Sequence, residues 1–196
     1  MDILQTELFR SWFSRLKDRK AKACIQVRLD RAEDGNFGDH EPVGGGVSEM
    51  RIDYGPGYRL YYTFRGTELI ILLAGGDKSS QMKDIKAAQV LARQLQEVMV
   101  VLKLSKWDSV EHLQSREDIA LYFDACLAEA GDDVAFIAKA LGNIARAHGM
   151  TQLAADTGMG RESLYKALSA DGNPSFATIL KVTRALGLRL HVEVAA

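Results

Sequence analysis

The chain has 196 residues, 47% of them hydrophobic and 26% charged, with 25 Lys and Arg against 26 Asp and Glu for a formal net charge of −1. That length holds one large domain or two of roughly 100 residues each, and the near-neutral balance, 15 basic to 14 acidic up to Val98 and 10 to 12 beyond it, excludes a protein that holds nucleic acid through its overall field. The longest apolar run, residues 69–74, is far short of the ~20 residues of a bilayer span, the start lacks a basic stretch leading into an apolar core, and Cys24 and Cys126 have no zinc or disulfide spacing, so the chain reads as cytoplasmic with both thiols as small core groups.

Residues 2–5 suit a short strand, after which the period changes. Leu8, Phe9, Trp12, Phe13 and Leu16 recur at helical spacing behind Thr6, a candidate N-cap. Asp18 is placed to cap a second helix with Ala21, Cys24, Ile25, Arg28, Leu29 and Ala32 inward. The outer faces of this helical hairpin hold the densest basic cluster of the chain: Arg10, Arg15, Lys17, Arg19, Lys20, Lys22, Arg28 and Arg31. Residues 34–46 are rich in Gly, include a Pro and read as a loop.

Three strands of an antiparallel meander follow. In residues 47–54 Met50, Ile52 and Tyr54 share one face and Glu49, Arg51 and Asp53 the other. In residues 58–65 Tyr58, Leu60, Tyr62 and Phe64 lie opposite Arg59, Tyr61, Thr63 and Arg65. A two-residue turn would put Arg51 beside Tyr62 on the apolar face. A three-residue loop, Gly55-Pro56-Gly57, keeps apolar on apolar and sets Arg51 opposite Tyr61 and Asp53 opposite Arg59. Gly66-Thr67 then makes a tight hairpin into residues 68–74, apolar on both faces and hence an interior strand. After Gly75-Gly76-Asp77-Lys78, Ser79 or Ser80 can cap a third helix to about Glu97, with Ile85, Ala88, Leu91, Ala92 and Leu95 inward.

Beyond residues 99–104, a short strand or linker, nearly everything has helical period. Ser115 with Asp118 forms a capping box ahead of a helix through Ile119, Tyr122, Phe123 and Leu127, stopped by Gly131. Asp132 starts another, with Val134, Ile137, Ala138, Leu141 and Ile144 inward. Helices over 151–157 and 161–169 flank the break Gly158-Met159-Gly160, the turn Asp171-Gly172-Asn173-Pro174 leads to a helix over 176–186, and residues 188–194 alternate as a terminal strand. An α+β unit followed by a mainly helical unit predicts two domains, 1–98 and 99–196.

Residues 151–168 have the layout of a helix-turn-helix. Ala154 is small where two helices cross, Gly158 takes the positive φ of the turn, and Leu153, Met159, Leu164 and Leu168 tie both helices to a core. Gly160, Arg161, Glu162, Tyr165, Lys166 and Ser169 point outward, where a recognition helix meets the major groove, with Thr151 and Gln152 as further contacts to DNA. The unit resembles the Xre/Cro type of helix-turn-helix. Residues 100–194 are similar to the addiction-module antidote (HigA-like antitoxin) proteins, from Ala138-Lys139-Ala140-Leu141-Gly142 through Arg161-Glu162-Ser163-Leu164-Tyr165-Lys166-Ala167-Leu168 to Gly172-Asn173-Pro174-Ser175-Phe176-Ala177-Thr178. The first half, with Gly44-Gly45-Gly46-Val47-Ser48-Glu49-Met50-Arg51-Ile52 leading to Gly55-Pro56-Gly57-Tyr58-Arg59 and Leu73-Ala74-Gly75-Gly76-Asp77-Lys78-Ser79, resembles the RelE/HigB-type toxins of the phage Gp49-like group over residues 1 to about 97. The resemblance implies a ribosome-dependent mRNA endonuclease or, in the related ParE branch, an inhibitor of DNA gyrase. Its partner antidote would block it and repress the operon.

RNA cleavage by a 2′-hydroxyl needs a base, an acid and cations, and no metal or cofactor. The polar sheet face offers Arg51 and Arg59 for charge and Tyr61 or Lys78 for protons, while Arg15, Lys17, Arg19, Lys20, Lys22 and Arg65 would hold ribosomal RNA phosphates. Cross-strand pairing of Arg51 with Tyr61 and Asp53 with Arg59 is the competing structural explanation. His40 is alone in its half, which excludes a His-pair ribonuclease, and His112, His148 and His191 lack ligand spacing, so no metal site is expected. Gly75 to Ser80 lacks the phosphate-loop frame. The chain thus reads as a toxin joined to its antidote, silenced in cis or by exchange within a homodimer, with operator DNA, the ribosome and mRNA as partners and no membrane. The rival reading is a purely regulatory DNA-binding protein with an inactive first half.

Overall fold

Residues 1–96, 103–169 and 171–191 are described by the computed structural model, which divides into two units, Met1–Asp108 and Ser109–Ala196. The first is an α/β unit built on a mixed sheet. Strand β1 (Asp2–Thr6) leads into helix α1 (Glu7–Arg15), where the Thr6 hydroxyl accepts the Phe9 N–H, and Asp18 caps helix α2 (Arg19–Glu33) by accepting from Ala21 N–H at 3.0 Å. Strands β2 (His40–Gly44), β3 (Val47–Ile52), β4 (Tyr58–Arg65) and β5 (Leu69–Asp77) form an antiparallel meander, followed by helix α3 (Gln81–Gln96) and strand β6 (Leu104–Lys106). The sheet order is β2-β3-β4-β5-β1-β6, with β1 parallel to β5 and antiparallel to β6.

Each sheet face carries its own apolar core. On one side Phe9, Phe13, Ile25 and Leu29 of the two helices pack on Ile3, Met50, Ile52, Leu60, Tyr62, Ile70 and Leu72. On the other, Ala88 and Ala92, flanked by Ile85, Leu91 and Leu95, place α3 on Val47, Tyr61, Ile71, Leu73 and Ala74. Gly75 permits one close approach: a Cβ there would stand 2.2 Å from the Trp12 ring.

Several expectations are corrected. Residues 34–46 are not all loop, because residues 40–44 extend the meander by pairing with β3, so it has four strands. The β3–β4 connection spans residues 53–57, placing Arg51 opposite Arg59 and Glu49 opposite Tyr61. A slip of two residues leaves every side chain on its original face, so face-matching could not resolve it. The next hairpin closes on Arg65 and Leu69, one residue wider than the Gly66-Thr67 turn, and β5 runs on through Gly75 and Gly76. Leu8 is exposed, while Ala23 and Val27 are buried on α2. Past the division expected at Val98, the first unit continues to Asp108, because β6 joins the sheet and Trp107 enters the core. The segment 99–104 lies outside the described residues up to 102.

The second unit is helical. After a single 3-10 turn at Ser109–His112 come α4 (Arg116–Ala130), α5 (Val134–His148), α6 (Met150–Thr157), α7 (Arg161–Ala167) and α8 (Phe176–Ala185). The Ser115 hydroxyl accepts the Asp118 N–H at 3.1 Å, and Gly131 ends α4 at φ 53°. Asp133, not Asp132, caps α5. Leu127 and Val134 are exposed; Cys126 and Phe136 occupy the core positions instead. Buried Asn143 of α5 donates to the Tyr122 hydroxyl of α4 at 3.0 Å. Residues 188–191 form no strand, and 192–194 lie outside the described residues. No helix among the described residues is long and apolar enough to cross a membrane.

Candidate functional sites

The first site is the α3-facing side of β3 and β4. Glu49 is fully buried there. Its carboxylate accepts from Arg51 Nε at 3.0 Å and from Gln81 Nε2 of α3 at 3.2 and 3.3 Å, and lies 3.6 Å from Arg59 Nε. Arg51 is held by two further carboxylates, with Nη1 3.5 Å from Asp39 and Nη2 on Glu41. Arg59 is 12% exposed, and its Nη1 donates to the Gly57 carbonyl at 2.9 Å. One buried anion therefore lies beside two arginines that face each other across the strands, and its burial is sustained by their charge and by the Gln81 amide.

Tyr61 is fully buried on the same face, and its hydroxyl has no hydrogen-bond partner among the described residues. Burial first, then repulsion from ionised Glu49 and Asp84, pushes its pKa well above the ordinary tyrosine value. A phenol so placed stays neutral at pH 7 and is screened from solvent by α3. The Asp77 carboxyl is held below its usual pKa by the Ser79 hydroxyl and N–H, at 2.5 and 2.8 Å.

The expected sheet-face residues are thus only partly gathered. Arg51, Arg59 and Tyr61 are neighbours around Glu49, with Tyr61 packed under α3 and Arg51 at the partly exposed margin. Glu49, not Asp53, is the carboxylate beside Arg59, which stands opposite Arg51 in the ladder. Lys78 is exposed beyond the end of β5, near the β3–β4 connection: a Cβ on Gly57 would lie 3.9 Å from its own. Arg65 is exposed six residues along β4 from Arg59, roughly 20 Å away at ~3.3 Å per residue, so it belongs to the opposite end of the sheet. On the helical hairpin Arg15, Lys17, Arg19 and Lys20 are exposed; Lys20 stands over the Tyr54 ring and Lys22 over that of Phe13 while donating to the Ser14 carbonyl. Arg28 is an anchor, donating to the Phe37 carbonyl at 3.2 Å. Sequence reasoning missed Glu49 and Gln81. The available signal was the apolar face of α3, which has to land on some sheet face.

The second site is α6, its turn and α7. Gly158 sits at φ 65°, ψ 19°, the left-handed conformation that ends α6. Leu153, Leu164 and Leu168 are buried, tying both helices to the unit's core. Gly142 of α5 lets α7 approach: a Cβ there would stand 2.3 Å from the Leu168 carbonyl oxygen. Thr151, Gln152, Gly160, Arg161, Glu162, Tyr165 and Lys166 are exposed and Ser169 is half-buried. The Arg161 guanidinium lies 5.6 Å from the centre of the Tyr165 ring, and Gln152 is turned to Asp156 at 2.7 Å. A cleft of about 170 Å³ beside Tyr165 and Ser169 is lined by Lys139, Asn143 and Arg146 of α5, two cations that sequence reasoning did not include.

Comparison with known proteins assigns each part of the chain. Residues 11–97 match the family of phage-derived Gp49-like proteins, and residues 103–194 match that of probable addiction module antidote proteins. Two uncharacterised proteins of Haemophilus influenzae are each 50% identical to the chain. One alignment spans 95 residues, 48% of this chain and 96% of the relative; the other spans 91 residues, 46% and 92%. No solved structure matches.

Proposed function

We propose, for a chain that belongs to the Gp49-like family over its first half and to the addiction module antidotes over its second, that it is a toxin joined to its own antidote, whose second unit binds operator DNA and represses transcription. The observation that carries this is α7, rooted by buried Leu164 and Leu168 and presenting Arg161, Tyr165 and Lys166 outward after the Gly158 turn. This arrangement supports reading α6, its turn and α7 as an Xre-type helix-turn-helix, in which the second helix would read base edges while cations beside it hold phosphates. Lys139 and Arg146 are suited to the second task. A homodimer of such units would read half-sites about one DNA turn (~34 Å) apart. The test is a mobility shift on the upstream region with the chain and its Arg161→Ala, Tyr165→Ala, Lys166→Ala triple variant. Loss of the shift is expected; equal binding rejects α7 as reader.

The first unit, on this proposal, is a RelE/HigB-like nuclease acting on ribosome-bound mRNA, with Arg59 and Lys78 at one end of the sheet and Arg15, Lys17, Arg19, Lys20 and Lys22 for ribosomal RNA. Arg51, ringed by carboxylates, and Tyr61, sealed under α3, can join the chemistry only if the face opens, and the groups that close it belong to the first half itself. The same burial favours a second reading, in which the α/β unit is an inactive module of a regulator. Expression of residues 1–98 beside the full chain, with transcript ends mapped, decides: arrest with codon-positioned cuts supports the nuclease, arrest with DNA damage and intact mRNA a gyrase target, and normal growth with a folded fragment the regulator.

A further inference from the structure

The families and the fold divide this chain at different places. The antidote family match begins at residue 103, yet residues up to Asp108 belong to the first unit. The segment in dispute is β6 with Trp107. We propose that this segment is the antidote's docking element: an antidote of this kind holds its toxin by adding a strand to the free edge of β1 and seating a tryptophan in the toxin's core, on one chain or on two. The proposal rests on the toxin-antidote reading above.

The contacts are those of strand addition. Leu4 pairs with Lys106, Gln5 with Ser105 and Thr6 with Leu104. Trp107 N–H donates to the Ile3 carbonyl at 2.9 Å, so by the alternation of an antiparallel ladder the Gln5–Ser105 pair is the next hydrogen-bonded one. Gln5 Nε2 donates to the Lys106 carbonyl at 3.4 Å, and Lys106 Nζ reaches Asp2 at 3.1 Å. On its other side β1 is already paired with β5. Without β6 it is therefore a bare edge, a template for one more strand. Trp107 is 1% exposed and meets the rings of Phe9 and Phe13 edge-on, at 6.0 and 5.1 Å between centroids. A buried aromatic at the centre of a contact is the usual anchor of an interface. Both H. influenzae relatives are matched almost whole by less than half of this chain, so relatives of half its length exist.

The test uses the full chain with residues 97–102 replaced by a protease site. After cutting, the fragments are followed by size-exclusion chromatography over a dilution series. Co-elution is expected, and Trp107→Ala should raise the dissociation constant at least about 30-fold, the loss typical of an interface anchor. Ser105→Pro, which removes one ladder hydrogen bond without touching the core, should do so as well. It decides the matter if circular dichroism shows the Trp107→Ala chain unfolded. Cut wild-type fragments that separate at about 1 μM, or a folded Ser105→Pro chain with an unchanged dissociation constant, would overturn the proposal. Strand-dependent association from a fragment that causes no growth arrest sustains the docking and rejects the toxin reading.

Discussion

Replacing Glu49 by Gln removes one negative charge from the centre of the sheet face while keeping the side chain's volume. Arg51 retains Asp39 and Glu41, both exposed, so its loss is moderated. Arg59 is more dependent on Glu49, which lies 3.6 Å from its Nε, and it is only 12% exposed. Removing one member of a buried ion pair costs about 3–5 kcal/mol when the other is left wholly uncompensated. Arg59 keeps its bond to the Gly57 carbonyl and some solvent, so the expected cost is about 2–3 kcal/mol. For a unit of this size that lowers Tm by roughly 10–20 °C. Glu41→Gln, on the same arginine but half exposed, should cost no more than about 1 kcal/mol. Thermal and urea unfolding of the full-length variants, followed in the near-ultraviolet, measure both. Equal losses for the two substitutions would refute the assignment of Glu49 as the charge that sustains the cluster.

Further predictions concern both units. Gly142→Ala gains about 1 kcal/mol of helix propensity but forces a Cβ to 2.3 Å from the Leu168 carbonyl, an overpacking of about 1–3 kcal/mol; net destabilisation and weaker DNA binding are expected, and a raised Tm would contradict the close approach. Gly158→Ala meets no atom within 4 Å, so its cost should be the left-handed backbone alone, about 1–2 kcal/mol, and Gly158→Asn should recover part of it. Tyr61 and Tyr62 both have raised pKa values, chiefly through burial, so their contribution is complete below the unfolded value near pH ~10 and is lost as pH rises through the raised folded values. Stability of Tyr61→Phe should accordingly fall less above that pH than the wild type's, as read by urea midpoints across an alkaline series; superimposable curves would remove Tyr61 from the titration.

Local chemistry was the most legible part of the sequence. Thr6, Asp18 and Ser115 announce their helices because a cap depends on residues two or three positions away, and Gly158 announces its turn because few other residues take its backbone. What depended on distant partners was hidden. Residues 40–44 contain Pro and Gly and no alternation, so only pairing with β3 makes them a strand. The register of β3 on β4 escaped because apolar matching is blind to a slip of two. The polar sheet face was read as open because nothing local says that α3 will cover it, and the same omission turned Glu49 from the anion that organises the site into an ordinary outward charge. The α7 surface was easier: on a helix capped by a tight turn, the buried leucines determine which residues are left outside.

The position of β6 also orders events during synthesis. Of the strands in this sheet β1 is made first and is the last to be fully paired, since its outer neighbour is translated after every other strand of the sheet and after α3. Chains fold broadly from the N-terminus as they emerge, so the α/β unit waits with one edge open until residues of the following segment arrive. At no point in translation is the sheet complete before the segment matched to the antidote family has begun to appear.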